Sequence, residues 1–507
     1  MSRTRKAEII ATFSYVQFGL ALVSGIMLLP FILRHIGTQS YGLWLACGDL
    51  LAYSAMVDLG VLGVLPWLIA EQDGRGDRQG IRDLISNGAA VASMIGIVYV
   101  LAALLLWFFA SRLINVTDAQ RAVLAGPLLL IVLITAIAFP LRAFFTVLVG
   151  LQDAVFTGWL SVGQWALNIC LIVLLVWKGY GLYSLAAAAS IPPLLSSVLS
   201  LIRIKLIAPD LLADWHRPSF PRMFYLVGQG FGGWMGSFGW RMAAASNSII
   251  IVSIGSPELV VVYACTAKLG EILMQLAWQL SDSGLVGLAQ LSGEGKQQRV
   301  REVVQAMLRI LLIAAGGVVV VMLAFNANFV SLWVGADKFG GGALNMLLAA
   351  GVLCLSFSHG LLVPAAVLGS RLRVGLITLM QGVFNLALAL VLGYFFGLRG
   401  IAAASLCSIF ILAIPFGARV LKRETQLSFA DLARTTLLPW ALRFVVMLVL
   451  SLLIGIWMPQ KSVLLLLALA PIVGLLYVWH MRPLYVNLPL PLRMRPWLIR
   501  MRLIPQQ

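Results

Sequence analysis

Apolar stretches long enough to cross a bilayer alternate with short polar loops along the whole chain. They lie near residues 9–33, 41–69, 84–109, 122–149, 154–177, 181–208 and 222–254, and then near 257–288, 303–334, 342–368, 374–397, 400–421, 437–458 and 462–481. The pattern predicts fourteen transmembrane helices. One of these runs breaks the apolar pattern. Within Pro257–Leu288, the polar residues Lys268, Glu271, Gln275, Gln279 and Asp282 recur at steps of three and four, which stacks them along one helix face. Leu269, Leu273, Leu276 and Leu280 fall on the opposite face, suited to lipid or neighbouring helices. An ionised group at mid-bilayer costs about 2.5–3.5 kcal/mol on insertion scales, so such groups turn towards a partner or towards water. Mutual neutralisation accounts for Lys268 and Glu271 alone. A water-filled cavity accounts for all five.

Composition agrees with the pattern: 61% of the 507 residues are hydrophobic and only 11% are charged. A soluble chain of this size needs more polar surface. A net charge of +17 first suggests nucleic acid, but the basic residues sit in short loops between apolar runs, where they set orientation and meet anionic headgroups. With fourteen crossings, 25 of the 36 Lys and Arg residues fall on the side holding both termini and 7 on the other. That bias places both termini in the cytoplasm. Cys47, Cys170, Cys265, Cys354 and Cys407 all fall in apolar runs without metal or redox spacing, and read as small buried hydrophobes. The first run is too long for a cleavable signal peptide and reads as the first membrane helix. Every loop is short, leaving no room for a soluble catalytic or nucleotide-binding domain, and the sequence calls for no cofactor. The loop Ser292–Lys296 lacks the spacing of a phosphate-cradling P-loop. Transport is expected, not an enzyme.

An internal repeat organises the chain. Ala70, Gly74, Gly76, Gln79 and Arg82 recur as Ala289, Gly293, Gly295, Gln298 and Arg301, a shift of 219. Gly158, Gln164 and Asn168 recur as Gly375, Gln381 and Asn385, and Gly181 with its Ala-rich continuation recurs at Gly400. The shift spans an even number of helices, so the two copies run the same way through the membrane. The expected architecture is an all-α integral membrane protein with two parallel six-helix lobes around a central cavity, residues 1–215 and 216–425, followed by two extra helices and a basic cytoplasmic tail over 426–507. Gly228, Gly232 and Gly236, together with Gly60, Gly63, Pro66 and Pro140, mark candidate positions for close approach or bending, though ordinary packing explains most glycines equally well.

Eight acidic or basic residues fall within the runs. Arginine keeps its charge under burial and grips phosphate through paired hydrogen bonds, so Arg142, Arg241 and Lys268 are candidates to hold a diphosphate. Pairing of Arg241 with Asp58 or Glu271 is the competing reading. Asp49, Asp58, Glu271 and Asp282, with Gln275 and Gln279, are candidates for lining the cavity or coupling to an ion. Arg443 lies near a helix end and snorkels. The pairs Gln164/Asn168 and Gln381/Asn385 suit bonds between helices or to sugar hydroxyls. Trp44, Trp159, Trp165, Trp234, Trp240 and Trp278 suit sugar stacking or membrane packing.

The string YGLW at Tyr41–Trp44, followed by Asp58-Leu59-Gly60, a short Gly/Arg/Asp loop and the Ala-rich patterns at Asn168–Ser190 and Asn385–Ser405, resembles bacterial polysaccharide-biosynthesis transporters. These are the Wzx-type lipid-linked oligosaccharide flippases of the MOP superfamily. The resemblance covers essentially the whole chain. It implies a V-shaped bundle in the bacterial cytoplasmic membrane that turns over an undecaprenyl-diphosphate-linked oligosaccharide, of O-antigen or exopolysaccharide type, through a cationic cavity by alternating access. It also implies polysaccharide polymerase or assembly proteins as partners. Two sister branches stand as alternatives. Multidrug or cation antiporters of the superfamily usually have twelve helices and an acid within helix 1, where this chain has only Glu8 at the start. Lipid II flippases have fourteen helices with arginines on helices 1, 2 and 8, where this chain offers Arg34 at the end of helix 1, none on helix 2 and Lys268 on helix 8.

Overall fold

The computed structural model describes residues 3–54, 59–113, 117–213, 217–282, 284–285, 288, 291–292, 295–457 and 463–485. The fold is all-helical, 92% helix with no strand among the described residues. In chain order the helices are α1 (Arg3–Ile36), α2 (Thr38–Ser54), α3 (Val61–Arg75), α4 (Arg78–Leu113), α5 (Asp118–Gly150), α6 (Ala154–Trp177), α7 (Leu182–Ile207), α8 (Asp210–Ala213) and α9 (Phe220–Ile254). They continue with α10 (Pro257–Asp282), α11 (Gln297–Trp333), α12 (Gly342–Ala365), α13 (Arg371–Ser408), α14 (Ile414–Thr425), α15 (Phe429–Leu432), α16 (Leu438–Trp457) and α17 (Val463–His480). Among the described residues, nine helical runs are long and apolar enough to cross a membrane. One of them, Gly342–Thr425, is 84 residues long and leaves helical geometry at Gly369 and Gly397, so it doubles back within the membrane instead of crossing it once. The protein is a multi-pass membrane protein.

The run predicted as one helix over 41–69 is interrupted. Leu59 and Gly60 both adopt positive φ, 48° and 76°, and α3 starts afresh at Val61. The backbone of α9 fills the space beside this turn: a Cβ on Gly60 would stand 2.4 Å from the Gly230 carbonyl oxygen. Close approach on α9 therefore uses Gly230. Gly228, expected in that role, has no neighbour within 4 Å.

The chain divides into two compact units, Met1–Phe238 with Gly255–Glu258, and Gly239–Ile254 with Leu259–Gln507. In the first, α3 presents Val61, Leu65 and Ile69 at four-residue steps, all fully buried against α4 and α5. In the second, α11 is the central element, packed by α12, α16 and α17. Its buried face runs from Val300 through Leu308, Leu312, Val319 and Met322 to Phe325. Asn326 ties three helices at the end of that face: its amide nitrogen donates to the Thr266 carbonyl and to Asn345 Oδ1, and Asn345 in turn donates to the Met322 carbonyl.

Matching backbone turns recur in the two units. After α3, Gly76 donates to Asp73 O, Asp77 to Gln72 O, Arg78 to Gly76 O and Ile81 to Asp77 O. Exactly 219 positions later would be a mere sequence echo, yet the bonds recur as well: Gly295 to Ser292 O, Lys296 to Leu291 O, Gln297 to Gly295 O and Val300 to Lys296 O. Gly76 and Gly295 share φ near 72° and 71°, a conformation that glycine adopts without strain. The second matching turn lies elsewhere than the sequence alignment puts it. Gly181 (φ 54°, ψ −128°) has its backbone counterpart in Gly397 (φ 58°, ψ −138°), three residues before Gly400.

Candidate functional site

Helix α10 carries three distinct faces. Ala267, Gly270, Met274, Ala277 and Ser281 are buried, and their three- and four-residue spacing makes one continuous contact stripe. Small residues dominate it, which lets neighbouring helices come close. A Cβ on Gly270 would meet the Met322 sulfur of α11 and Val352 of α12. The leucine face predicted from the sequence is a separate one: Leu269 and Leu273 are half-buried and Leu276 is exposed. The polar stripe forms the third face. Glu271 and Gln275 are exposed on it, while Lys268, Gln279 and Asp282 are half-buried.

Lys268 and Glu271 do pair, with Nζ 3.7 Å from Oε2, but their side chains remain 36% and 53% exposed. A pair that open contributes at most about 1 kcal/mol. Neutralisation is thus incomplete as an account of the stripe, since Gln275 stays exposed and Gln279 Oε1 is buried without a hydrogen-bond partner. Arg241 is half-buried on α9, one residue after Trp240, and Trp240 meets Trp278 of α10 edge-on at 5.7 Å. Asn247 of α9 reaches the Tyr263 hydroxyl at 3.5 Å, so the two helices run antiparallel. Arg241 therefore adjoins the Trp240–Trp278 contact, and Lys268 lies ten residues before Trp278, nearly three helical turns along α10. On α9, Gln229, Gly233 and Ser237, at four-residue steps ahead of Arg241, are all exposed. Arg142 belongs to the first unit, on α5, with its guanidinium over the Phe139 ring at 4.9 Å. Asp49 is half-buried on α2. Asp58 lies outside the described residues.

Asp282 brings in a residue the sequence reading missed. Its two carboxylate oxygens lie 3.0 and 3.1 Å from Nε2 of His359 on α12. The imidazole lies flat on Trp278, with ring centroids 4.1 Å apart and planes within 9°. Trp278 is fixed in turn by donating its indole N–H to Ser356 Oγ, also on α12, at 3.1 Å. Counting acids and strong bases passes over His359. The usable signal was a histidine in the middle of the apolar run 342–368.

The tryptophans predicted as possible sugar platforms largely have ring partners. Trp278 has one face on His359, Trp159 takes Phe13 edge-on, and Trp234 stacks with Phe231 and Phe238. The asparagine of each amide pair bonds between helices: Asn168 donates to the Ala188 carbonyl of α7, and Asn385 to the Ala243 carbonyl of α9. Cys170 is exposed, a departure from the buried reading, while Cys47 and Cys265 are buried. Among the described residues, no three His, Cys, Asp or Glu side chains are grouped to hold a metal.

The fold can be compared with solved structures. An inward-facing multidrug-resistance MATE family transporter of the MOP superfamily superposes with a TM-score of 0.65 at 15% identity, covering 80% of this chain and 95% of that one. The lipid II flippase MurJ, in an inward closed conformation, superposes with a TM-score of 0.67 at 13% identity, covering 94% and 98%. This chain has their fold. A third neighbour, the Vibrio cholerae MATE transporter VcmN in its bent form, gives a TM-score of 0.55 at 13% identity, covering 83% of this chain and 98% of that one. No protein-family model matches the sequence, and no curated protein matches it as a relative.

Proposed function

We propose that this protein is a secondary transporter that flips an undecaprenyl-diphosphate-linked oligosaccharide across the bacterial cytoplasmic membrane, both termini facing the cytoplasm. The observation that carries this reading is the extent of the match to solved transporters. MATE transporters cover 80% and 84% of the chain, whereas the lipid II flippase MurJ covers 94% of it. The chain thus shares more of its length with a protein named as a lipid flippase, which favours a lipid-linked substrate over a multidrug cation. The polar stripe of α10 supports it further. Lys268 keeps its side chain one-third exposed, and Arg241 stands on the adjoining helix, so two cationic side chains of the kind that grip a diphosphate lie on neighbouring helices. Gln275 adds an exposed amide suited to sugar hydroxyls.

The test is genetic. In the host bacterium with the chromosomal copy deleted, Arg241→Ala combined with Lys268→Ala is expected to abolish surface polysaccharide while the protein still reaches the membrane in normal amount. Normal polymer from the double variant overturns the assignment. Lipid II flipping is the second reading, favoured by the same structural match, and it predicts arrest of cell-wall synthesis on depletion. A drug or cation antiporter predicts altered susceptibility to cationic dyes.

A further inference from the structure

Trp278, Asp282, Ser356 and His359 form a cluster that the transport reading leaves unused. The imidazole is confined on two sides, by the flat indole at 4.1 Å and by both carboxylate oxygens at 3.0 and 3.1 Å. The His359 side chain is only 15% exposed, while that of Asp282 is 35% exposed, so the site opens to its surroundings through the carboxylate. Both contacts respond to charge. A carboxylate and the negative face of an indole each attract an imidazolium more strongly than a neutral imidazole. Gln279, on the same polar stripe, holds a buried carbonyl oxygen without a partner, so that part of α10 is incompletely satisfied as it stands.

Several charged groups of the surrounding helices have other partners. On α11, Arg309 donates to the Thr435 carbonyl, and Arg299 pairs with Glu302. On α13 and α14, Arg373 and Glu424 both address Ser370, and Arg419 lies over Phe416. Arg301 addresses the Thr425 carbonyl and Gln426. On α9, Arg241 adjoins Trp240, which meets the edge of Trp278. On α10 itself, Lys268 and Glu271 lie three to four turns from Asp282 and pair with each other. Asp282 is the acidic group shown in contact with His359.

We propose that His359 and Asp282 form a proton-binding site whose occupancy latches α10 to α12. With the proton bound, an imidazolium–carboxylate pair backed by Trp278 holds the two helices together. On proton release the pair loses its charge attraction, and the α10 segment carrying Gln275 and Gln279 is freed to shift. The proton site can be measured without any substrate.

The experiment uses the full-length protein in lipid nanodiscs with isotopically labelled histidine. The chain has four histidines, His35, His216, His359 and His480, and loss of one signal in His359→Gln assigns the resonance. The expected result is that the His359 imidazole signal responds to pH and that Asp282→Asn alters that response. A His359 signal that stays in one form throughout, or a response that Asp282→Asn leaves unchanged, overturns the site. The latch is read separately, in a cysteine-free background, from the mobility of a spin label attached to Gln275→Cys at one fixed pH. Its mobility is expected to rise when the labelled protein is moved from pH 5.5 to pH 8, and to become independent of pH when His359→Gln is added. A pH dependence that survives His359→Gln overturns the latch. Native titration together with normal polymer from the double variant above overturns the transport reading and leaves the proton site standing.

Discussion

Two glycines face each other where α9 crosses α13. A Cβ on Gly239 would sit 2.3 Å from the Thr378 carbonyl oxygen, and one on Gly382 would sit 2.2 Å from the Gly239 carbonyl oxygen. Neither obstacle is a flexible side-chain tip, so a methyl group forces the helices apart. Gly239→Ala is expected to cost about 1–3 kcal/mol, read as a lower thermal midpoint of the detergent-purified protein. Gly233→Ala, at a position with nothing within 4 Å, is expected to leave that midpoint unchanged. The sequence showed that α9 is rich in glycine. It did not show which glycines touch backbone, because spacing at four residues is satisfied by several overlapping sets. The same limit applies to Asp282. Its place on the polar face of α10 was legible from periodicity, but His359 is 77 positions away, and no local pattern links them.

At the scale of the helix, α16 and α17 dock on α11 through aromatic side chains. Trp440 and Phe444 stack at 4.6 Å. The Tyr477 hydroxyl donates to the Ile313 carbonyl at 2.6 Å, and the ring lies against Gly316 and Gly317. Since lipid is as apolar as the helices themselves, this packing and its hydrogen bond supply what water exclusion supplies in a soluble protein. Tyr477→Phe removes the bond and keeps the ring. It is expected to lower stability by about 0.6–1.7 kcal/mol, measured by thermal unfolding in detergent. Breaks within membrane runs were the hardest feature to read. Leu59 and Gly60 turn the chain inside a continuous hydrophobic stretch, because hydropathy reports the surroundings of a segment and says nothing of its backbone angles.

For the molecule as a whole, the repeat has a structural counterpart in the four-bond turns after α3 and before α11. The clamps near the helix ends correspond loosely as well. Arg203 of α7 pairs with Asp153 ahead of α6 at 2.9 Å, and in the second unit Ser370 ahead of α13 bonds to Glu424 of α14. The proposed orientation rests on charge: counted over fourteen crossings, 25 basic residues fall on one side and 7 on the other. A green fluorescent protein fused to the C-terminus is therefore expected to fluoresce, and an alkaline phosphatase fused there to stay inactive. The reverse result overturns the assigned orientation.

By itself the sequence determined that this chain is a helical membrane protein and which helix carries the polar stripe. Composition and periodicity decide those features, and both are properties of neighbours along the chain. Only the tertiary structure decided that the inward face of α10 is its small residues, that α9 closes on its neighbours at Gly230 and Gly239, and that Asp282 meets His359. Those depend on which distant helix lies alongside, and that choice is made by shape and hydrogen-bond fit between helix faces, which one-dimensional hydropathy does not record.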